Sequence, residues 1–207
     1  MFTGIVAAIG TITALAPASA DPAAGMRLTI DAGAMSLDDV GIGDSIALNG
    51  ACMTVVEKTA GSFAVDVSRE SLNCTAGLDR CGQVNLEKAM TLADRLGGHM
   101  VSGHVDGLGR VIRFAPVGES WELVVEAPRE LAKFLVYKGS VVVNGVSLTV
   151  NRVDDLPNAC QFSINLIPHT VSVTTMKQIQ PGDAVNLEID LIARYVERML
   201  SLTDLRR

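Results

Sequence analysis

The chain has 207 residues, of which 48% are hydrophobic but only 4% aromatic, and a formal net charge of −6. This length suits one large or two small domains, and the acidic balance argues against binding to a nucleic-acid backbone, which requires clustered Lys and Arg. The four cysteines lack Cys-x-x-Cys spacing, so neither a zinc site nor a redox pair is predicted.

The first 20 residues carry no charge and end in Ala18-Ser19-Ala20, which resembles a secretory cleavage site. No basic residue follows Met1, however, and segment 3–10 has a similar segment at 102–109. A removable signal would have no reason to recur as a strand inside the chain. No run of 18 apolar residues indicates a membrane span. We therefore expect a cytoplasmic protein whose cysteines are reduced thiols.

Short β-branched stretches between glycine turns predict strands along most of the chain. They are residues 27–30, 45–48, 52–56, 62–67, 121–126 and 140–144. Two short helices are predicted, at 35–40 and at 128–136, where Pro128 and then Glu130 form a reasonable helix start. Residues 88–96 are predicted to be a turn or linker, and Gly97-Gly98 marks a boundary.

The end of the chain changes to a helical period. An apolar stripe is formed by Ile192, Val196, Met199 and Leu200, whereas Arg194, Glu197 and Arg198 face away. Such a helix either packs on its own domain or joins helices from other subunits. The near-heptad spacing of the stripe favours the second arrangement.

The chain contains an internal repeat. Four blocks recur in order, at offsets between 95 residues (48–55 and 143–150) and 101 residues (84–87 and 185–188). This period is longer than a solenoid unit and predicts two similar domains. We expect the domains to be all-β barrels or sandwiches, with boundaries at 1–97 and 98–189, followed by a helix and tail at 190–207.

Three polar residues could suggest a metal site: His99, His104 and Asp106. In a continuous strand, however, residues five apart point to opposite faces, so the two histidines could not chelate one ion together. Two remaining ligands are too few for a closed site. The sequence therefore predicts no metal, and His104 stands either as an acid, base or donor or as a barrel-wall residue.

The two copies differ at a few reactive positions. Cys52 corresponds to Ser147, and each precedes by two residues a threonine on the same strand face, Thr54 or Thr149. Gly50 and Gly145 come two residues earlier, where a flat ligand could approach the backbone closely. Alternatively, the cysteine and the serine are small fillers inside a barrel. No His-Asp-Ser or Cys-His order can be inferred from the sequence, so it does not point to covalent catalysis.

A further mismatch lies after the last block of each copy. Asp190 corresponds to Ala89, which makes Asp190 either a functional residue or the cap of the terminal helix. The Glu70-Ser71 pair corresponds to His169-Thr170, where Pro168 restricts the second loop.

Together, the opening segment 1–6, the doubled Asn-Gly-x-(Cys/Ser)-(Met/Leu)-Thr-Val element, and segments 97–105 and 165–170 resemble the riboflavin synthase family, alpha-chain type. The resemblance covers essentially the whole chain. It implies two six-stranded Greek-key barrels in tandem and a C-terminal amphipathic helix that assembles a homotrimer. The implied reaction is a dismutation of two 6,7-dimethyl-8-ribityllumazine molecules into riboflavin and 5-amino-6-(D-ribitylamino)uracil, without a cofactor. A non-catalytic lumazine or flavin-binding protein of the same fold is the alternative.

The resemblance also implies which residues act. The catalytic positions would be Ser147, Thr149, His104, Cys52 and Asp190. The pocket of the first barrel would be lined by Gly4, Ile5, Val6, Cys52, Met53, Thr54, Asp66, Val67, Ser68, Arg69, Glu70, Ser71, Gly103, His104 and Val105. The pocket of the second barrel would be lined by Lys138, Ser147, Leu148, Thr149, Ile167, Pro168, His169, Thr170, Val171 and Ser172. A site would form where the first barrel of one subunit faces the second barrel of its neighbour.

Overall fold

The computed structural model describes residues 1–18, Asp21 and 24–204. Ser19 and Ala20 of the cleavage-like motif, and residues 205–207 of the predicted tail, lie outside the described residues. Within the described ranges the strands form two closed antiparallel barrels, followed by a helix. The all-β prediction with a C-terminal helix is confirmed.

The two barrels have the same topology. The first has the spatial order β1-β2-β5-β4-β3-β6 and consists of β1 (Ala8–Pro17), β2 (Met26–Asp31), β3 (Ser45–Leu48), β4 (Ala51–Lys58), β5 (Ser62–Val67) and β6 (Gly82–Lys88). The second has the order β7-β8-β11-β10-β9-β12 and consists of β7 (Gly107–Val117), β8 (Ser120–Pro128), β9 (Ser140–Val143), β10 (Val146–Asp155), β11 (Ala159–Leu166) and β12 (Ala184–Ile189). Each encloses its own hydrophobic core.

The helices are short except for the last. They are α1 (Arg69–Cys74), α2 (Pro168–Val173) and α3 (Leu191–Asp204), with 3₁₀ turns at Arg129–Phe134 and Thr175–Gln178. The predicted helix at 128–136 is present as the first of these 3₁₀ turns. The prediction of a helix at 35–40 is wrong, because the segment forms two tight turns instead. Helices α1 and α2 have no counterpart among the elements predicted from the sequence.

The linker between the barrels is longer than predicted. Strand β6 continues to Lys88, and irregular chain then runs to Asp106. Within it, Val101 pairs with Phe2 in an isolated antiparallel bridge. The segment at 102–109, which was expected to recur as a strand, is extended only from Gly107 onward.

A polar network joins the barrels across a pseudo-two-fold axis. The Asn85 Nδ2 donates to the Asn144 carbonyl at 2.8 Å, and the Asn186 Nδ2 donates to the Asn49 carbonyl at 3.0 Å. The Oδ1 atoms of all four asparagines also accept hydrogen bonds from backbone N–H groups, in matching pairs. Buried polar groups satisfied in this way fix one relative orientation of the two barrels.

Candidate active site

The repeated Cys/Ser-x-Thr elements lie on the outer surfaces of the barrels. In β4, Met53 and Val55 point into the core, whereas Cys52 is half-buried and Thr54 is exposed. In β10, Val150 is buried, whereas Ser147 is half-buried and Thr149 is exposed. The alternative that Cys52 and Ser147 fill the barrel interiors is therefore wrong. We call these two surfaces the Cys52 face and the Ser147 face.

Two arms precede the barrels: the first arm is residues 3–6 and the second arm is residues 102–105. Each arm crosses to the other barrel. The Ser147 N–H donates to the Gly4 carbonyl at 2.8 Å, and the Cys52 N–H donates to the Gly103 carbonyl at 2.7 Å. Val6 packs against the second core and Val105 against the first.

The crossing changes one sequence-based assignment. Gly4, Ile5 and Val6 were predicted to line the pocket of the first barrel, but the structure places the first arm on the Ser147 face of the second barrel. The Phe2–Val101 bridge sets the arms side by side, so that each passes onto the opposite barrel. Gly103, His104 and Val105 lie beside the Cys52 face.

Gly50 and Gly145 were predicted to let a flat ligand approach the backbone, but the structure leaves no space for a ligand there. A Cβ built on Gly145 would lie 2.8 Å from the Gly50 nitrogen, and a Cβ built on Gly50 would lie 2.8 Å from the Gly145 nitrogen. The two backbones contact each other at the pseudo-two-fold axis. These glycines therefore serve contact between the barrels.

His99, which the sequence suggests only as a metal ligand, is a functional candidate. Its Nδ1 lies 2.7 Å from the Ser147 Oγ, and its Nε2 is buried without a hydrogen-bond partner among the described residues. Burial lowers the pKa of His99, and the negative charge of Asp190 partly opposes that shift. Burial thus disfavours the charged imidazolium, and the contact with Ser147 holds the ring by one of its two nitrogens. Because Ser147 is 48 residues away in sequence, no local pattern indicated this pair.

His99 and His104 do not lie on a continuous strand as predicted, because β7 begins only at Gly107. His104 is exposed on the second arm. The Asp106 carboxylate accepts a hydrogen bond from the Ile189 N–H at 2.9 Å and pairs with Arg194 at 2.5 Å. In the part of the chain that the structure describes, no three His, Cys, Asp or Glu side chains are grouped as metal ligands.

Asp190 lies where the last barrel strand meets α3. Its Oδ1 accepts from the Ile192 N–H at 2.8 Å and its carbonyl accepts from the Arg194 N–H. This is the geometry of a helix N-cap, which was one of the two readings of this residue. The same carboxylate lies close enough to His99 to act on its pKa.

The loops after β5 and β11 form the outer parts of the two faces. Ser68 caps α1 by accepting from the Ser71 N–H, and Pro168 occupies the first turn of α2. Asp66 forms a two-point ion pair with Arg27, at 2.7 and 2.9 Å, which lowers the pKa of Asp66. The predicted residues here are exposed except Ser71 and Thr170, which are half-buried, and Val67 and Val171, which belong to the cores.

A cavity of about 870 Å³ lies beside the first arm, between the arm and residues 87–97. Ile5 is the one predicted substrate residue among its lining groups, and neither Ser147 nor Thr149 lines it. This cavity is therefore distinct from the Ser147 face.

The doubled fold and its paired faces match one family. The model of the lumazine binding domain matches the chain twice, at residues 3–89 and 102–190. The fold is also similar to that of LumP complexed with riboflavin, with a TM-score of 0.78 and 25% identity over 91% of this chain and 99% of that one. LumP complexed with 6,7-dimethyl-8-(1'-D-ribityl)lumazine shares the fold, with a TM-score of 0.77. The chain is thus a protein with two lumazine-binding domains.

Curated relatives identify the family within this class of protein. The chain is 46% identical over 204 residues to the riboflavin synthase of Mycobacterium tuberculosis, covering 97% of this chain and 98% of the relative. It is 45% identical over 202 residues to the riboflavin synthase of Photobacterium phosphoreum, covering 97% and 89%. The enzyme of Bacillus subtilis is 41% identical, with 97% and 90% covered. The chain belongs to the riboflavin synthase family.

No helix in the described ranges is long and apolar enough to span a membrane.

Proposed function

We propose that this chain is a riboflavin synthase, a transferase that converts two 6,7-dimethyl-8-ribityllumazine molecules into riboflavin and 5-amino-6-(D-ribitylamino)uracil. The observation that carries the proposal is the doubling of one binding face. The Cys52 face and the Ser147 face have the same strand position, the same arm contact and nearly the same side chains. A reaction between two identical molecules requires two similar sites of this kind.

The non-catalytic alternative is not favoured. Identity to curated synthases is 41–46% over nearly the whole chain, whereas identity to the LumP structures is 22–25%. The residues that the family resemblance makes catalytic are also all present: Cys52, His104, Ser147, Thr149 and Asp190.

The chemistry asks little of the protein beyond orientation and proton transfer. The methyl group beside the electron-poor ring carbon of the lumazine is itself acidic, so removing its proton generates a carbon nucleophile. One lumazine then donates a four-carbon unit to the other and is left as the diaminouracil. Holding the two rings in a reactive geometry supplies much of the rate, and positioned acids and bases supply the proton transfers. No metal or organic cofactor is required by this scheme.

We assign the two faces different tasks. On the Ser147 face, the Ser147 and Thr149 hydroxyls polarise one lumazine, and the 2.7 Å contact between the His99 Nδ1 and the Ser147 Oγ positions the serine hydroxyl. On the Cys52 face, His104 and Cys52 serve the partner molecule. The remaining substrate contacts come from the arms, from Lys138 and from the loops at 66–71 and 167–172.

The stripe on α3 supports an oligomer. Ile192, Val196, Met199 and Leu200 are between 49% and 70% exposed in the single chain. On the other side of the helix, Glu197 pairs with Lys133 of the second barrel. We infer that residues 190–207 assemble a homotrimer, in which the first barrel (1–97) of one subunit faces the second barrel (98–189) of its neighbour. A cytoplasmic location fits the four free cysteines.

The test is turnover by the purified protein. We expect riboflavin absorbance to appear when the lumazine is added, with one diaminouracil formed per riboflavin. A lumazine that binds but remains unchanged would favour the non-catalytic alternative. A chain that binds no lumazine would contradict both readings.

A further inference from the structure

Two buried glutamates hold the arms, and neither has a role in the reaction as described above. Glu87 is the second-last residue of β6 and is 8% exposed. Glu188 has the same position in β12 and is 3% exposed. Both carboxylates belong to the repeated block at 84–87 and 185–188, so each barrel carries one.

Each carboxylate accepts three hydrogen bonds from one arm or its flank. Glu87 accepts from the Thr3 N–H and hydroxyl, both at 2.7 Å, and from the Gly4 N–H at 3.0 Å. Glu188 accepts from the Ser102 N–H at 2.6 Å, the Ser102 hydroxyl at 2.7 Å and the Gly103 N–H at 3.0 Å. The two sets correspond donor by donor.

These contacts run crosswise between the barrels. Glu87 belongs to the first barrel, but the first arm that it holds lies on the Ser147 face of the second. Glu188 belongs to the second barrel, but the second arm that it holds carries His104 beside the Cys52 face of the first. Burying a carboxylate is costly unless its hydrogen bonds are well made, and burial indeed raises the pKa of both groups.

We propose that Glu188 and Glu87 are positioning residues of the two lumazine faces, each fixing the arm that completes the face on the opposite barrel. Glu188 sets the place of Gly103 and His104 against Cys52. Glu87 sets the place of Gly4 and Ile5 against Ser147. The effect on turnover rests on the proposed function, whereas the effect on the arms does not.

The sharpest perturbation is glutamate to glutamine, which keeps the shape of the side chain. One oxygen can still accept from the serine or threonine, but the new NH₂ group then opposes the glycine N–H instead of accepting from it. Glu188→Gln and Glu87→Gln are matched controls for each other, because their environments are nearly identical.

The first measurement is amide hydrogen exchange of the full-length protein. We expect Glu188→Gln to accelerate exchange in residues 102–105 while residues 3–6 remain as in the wild type, and Glu87→Gln to show the reverse. Equal acceleration of both arms in each variant, or no change in either, would overturn the proposal. If a glutamine variant fails to fold, Ser102→Ala and Thr3→Ala each remove one hydrogen bond to the same carboxylates. Each is expected to accelerate exchange only in its own arm.

The second measurement separates positioning from stability. A small displacement of a reacting group can cost about 10²-fold in rate, so we expect Glu188→Gln to lower kcat by about this factor. In a His104→Gln background, Glu188→Gln should cause little further loss, whereas Glu87→Gln should multiply its effect. Equal multiplication by both glutamine variants would overturn the assignment of Glu188 to His104.

The two proposals fail in distinguishable ways. If the wild-type chain makes no riboflavin, the proposed function is wrong, and the exchange pattern alone decides whether the carboxylates hold the arms. If the wild type is active but the exchange effects are not confined to the arm that each glutamate binds, the proposed function stands and the positioning role is wrong.

Discussion

Removal of the Ser147 hydroxyl should damage turnover far more than stability. The hydroxyl makes one short contact, 2.7 Å to the His99 Nδ1, and Ser147 is half-buried. Loss of one such hydrogen bond costs about 1 kcal/mol. In a chain of this length that corresponds to roughly 2–4 °C in Tm. If the Ser147 hydroxyl polarises the bound lumazine, its loss should lower kcat by about 10²-fold or more.

The assay compares Ser147→Ala with Ser163→Ala, which makes the same chemical change at a buried serine of β11 outside the two faces. Thermal melting and steady-state formation of riboflavin are measured for both. We expect similar small shifts in Tm, but a loss of kcat in Ser147→Ala alone.

A double substitution tests the Ser147–His99 pair. Because Ser147 and His99 would act as one unit, His99→Gln should add little to the loss already caused by Ser147→Ala. Unchanged kcat in Ser147→Ala with a lowered Tm would show that the hydroxyl is merely structural and would refute this reasoning.

Three further predictions concern pH, packing and assembly. Burial lowers the pKa of His99 in the folded protein, so the stability that the neutral imidazole contributes is present above its unfolded pKa near 6.5 and is lost as pH falls through its lower folded pKa. The difference in the free energy of unfolding between the wild type and His99→Gln, measured by chemical denaturation, should therefore change with pH only on the acid side. Gly145 and Gly182 both have positive φ, +81° and +97°, but a Cβ on Gly145 would lie 2.8 Å from the Gly50 nitrogen, whereas a Cβ on Gly182 meets nothing. Gly145→Ala should therefore lower the free energy of unfolding by more than the about 1–3 kcal/mol expected from backbone strain alone in Gly182→Ala. Equal losses in denaturant titrations would contradict the contact between the barrels. Val196→Glu should reduce the sedimenting species to a monomer with low activity, and a fully active monomer would contradict the proposed trimer.

The local structure was largely predictable from sequence. The strands at 45–48 and 62–67 match the observed bounds, because glycine turns bracket stretches that favour extended backbone. The helix expected at 35–40 does not form. There the Ser36 hydroxyl accepts from the Asp38 N–H and bonds its carboxylate, and such local bonds compete with a helix.

The assembly of the site was not predictable, because its contacts are distant in sequence. Strand β7 begins at Gly107 instead of Ser102, since the Glu188 carboxylate takes the N–H groups of Ser102 and Gly103. The same contacts direct each arm to the opposite barrel. No periodicity or motif encodes a contact 86 residues apart, nor the 48-residue span from His99 to Ser147.

The most direct test of the account is the number of ligands that one chain binds. A lumazine that lacks the reactive methyl group can occupy both faces without turning over, and calorimetric titration then counts the sites. We expect two molecules per chain, and one molecule per chain when Ser147 and Thr149 are replaced together by Leu. A wild-type stoichiometry of one would contradict the claim that the repeat provides a face for each of two identical substrates.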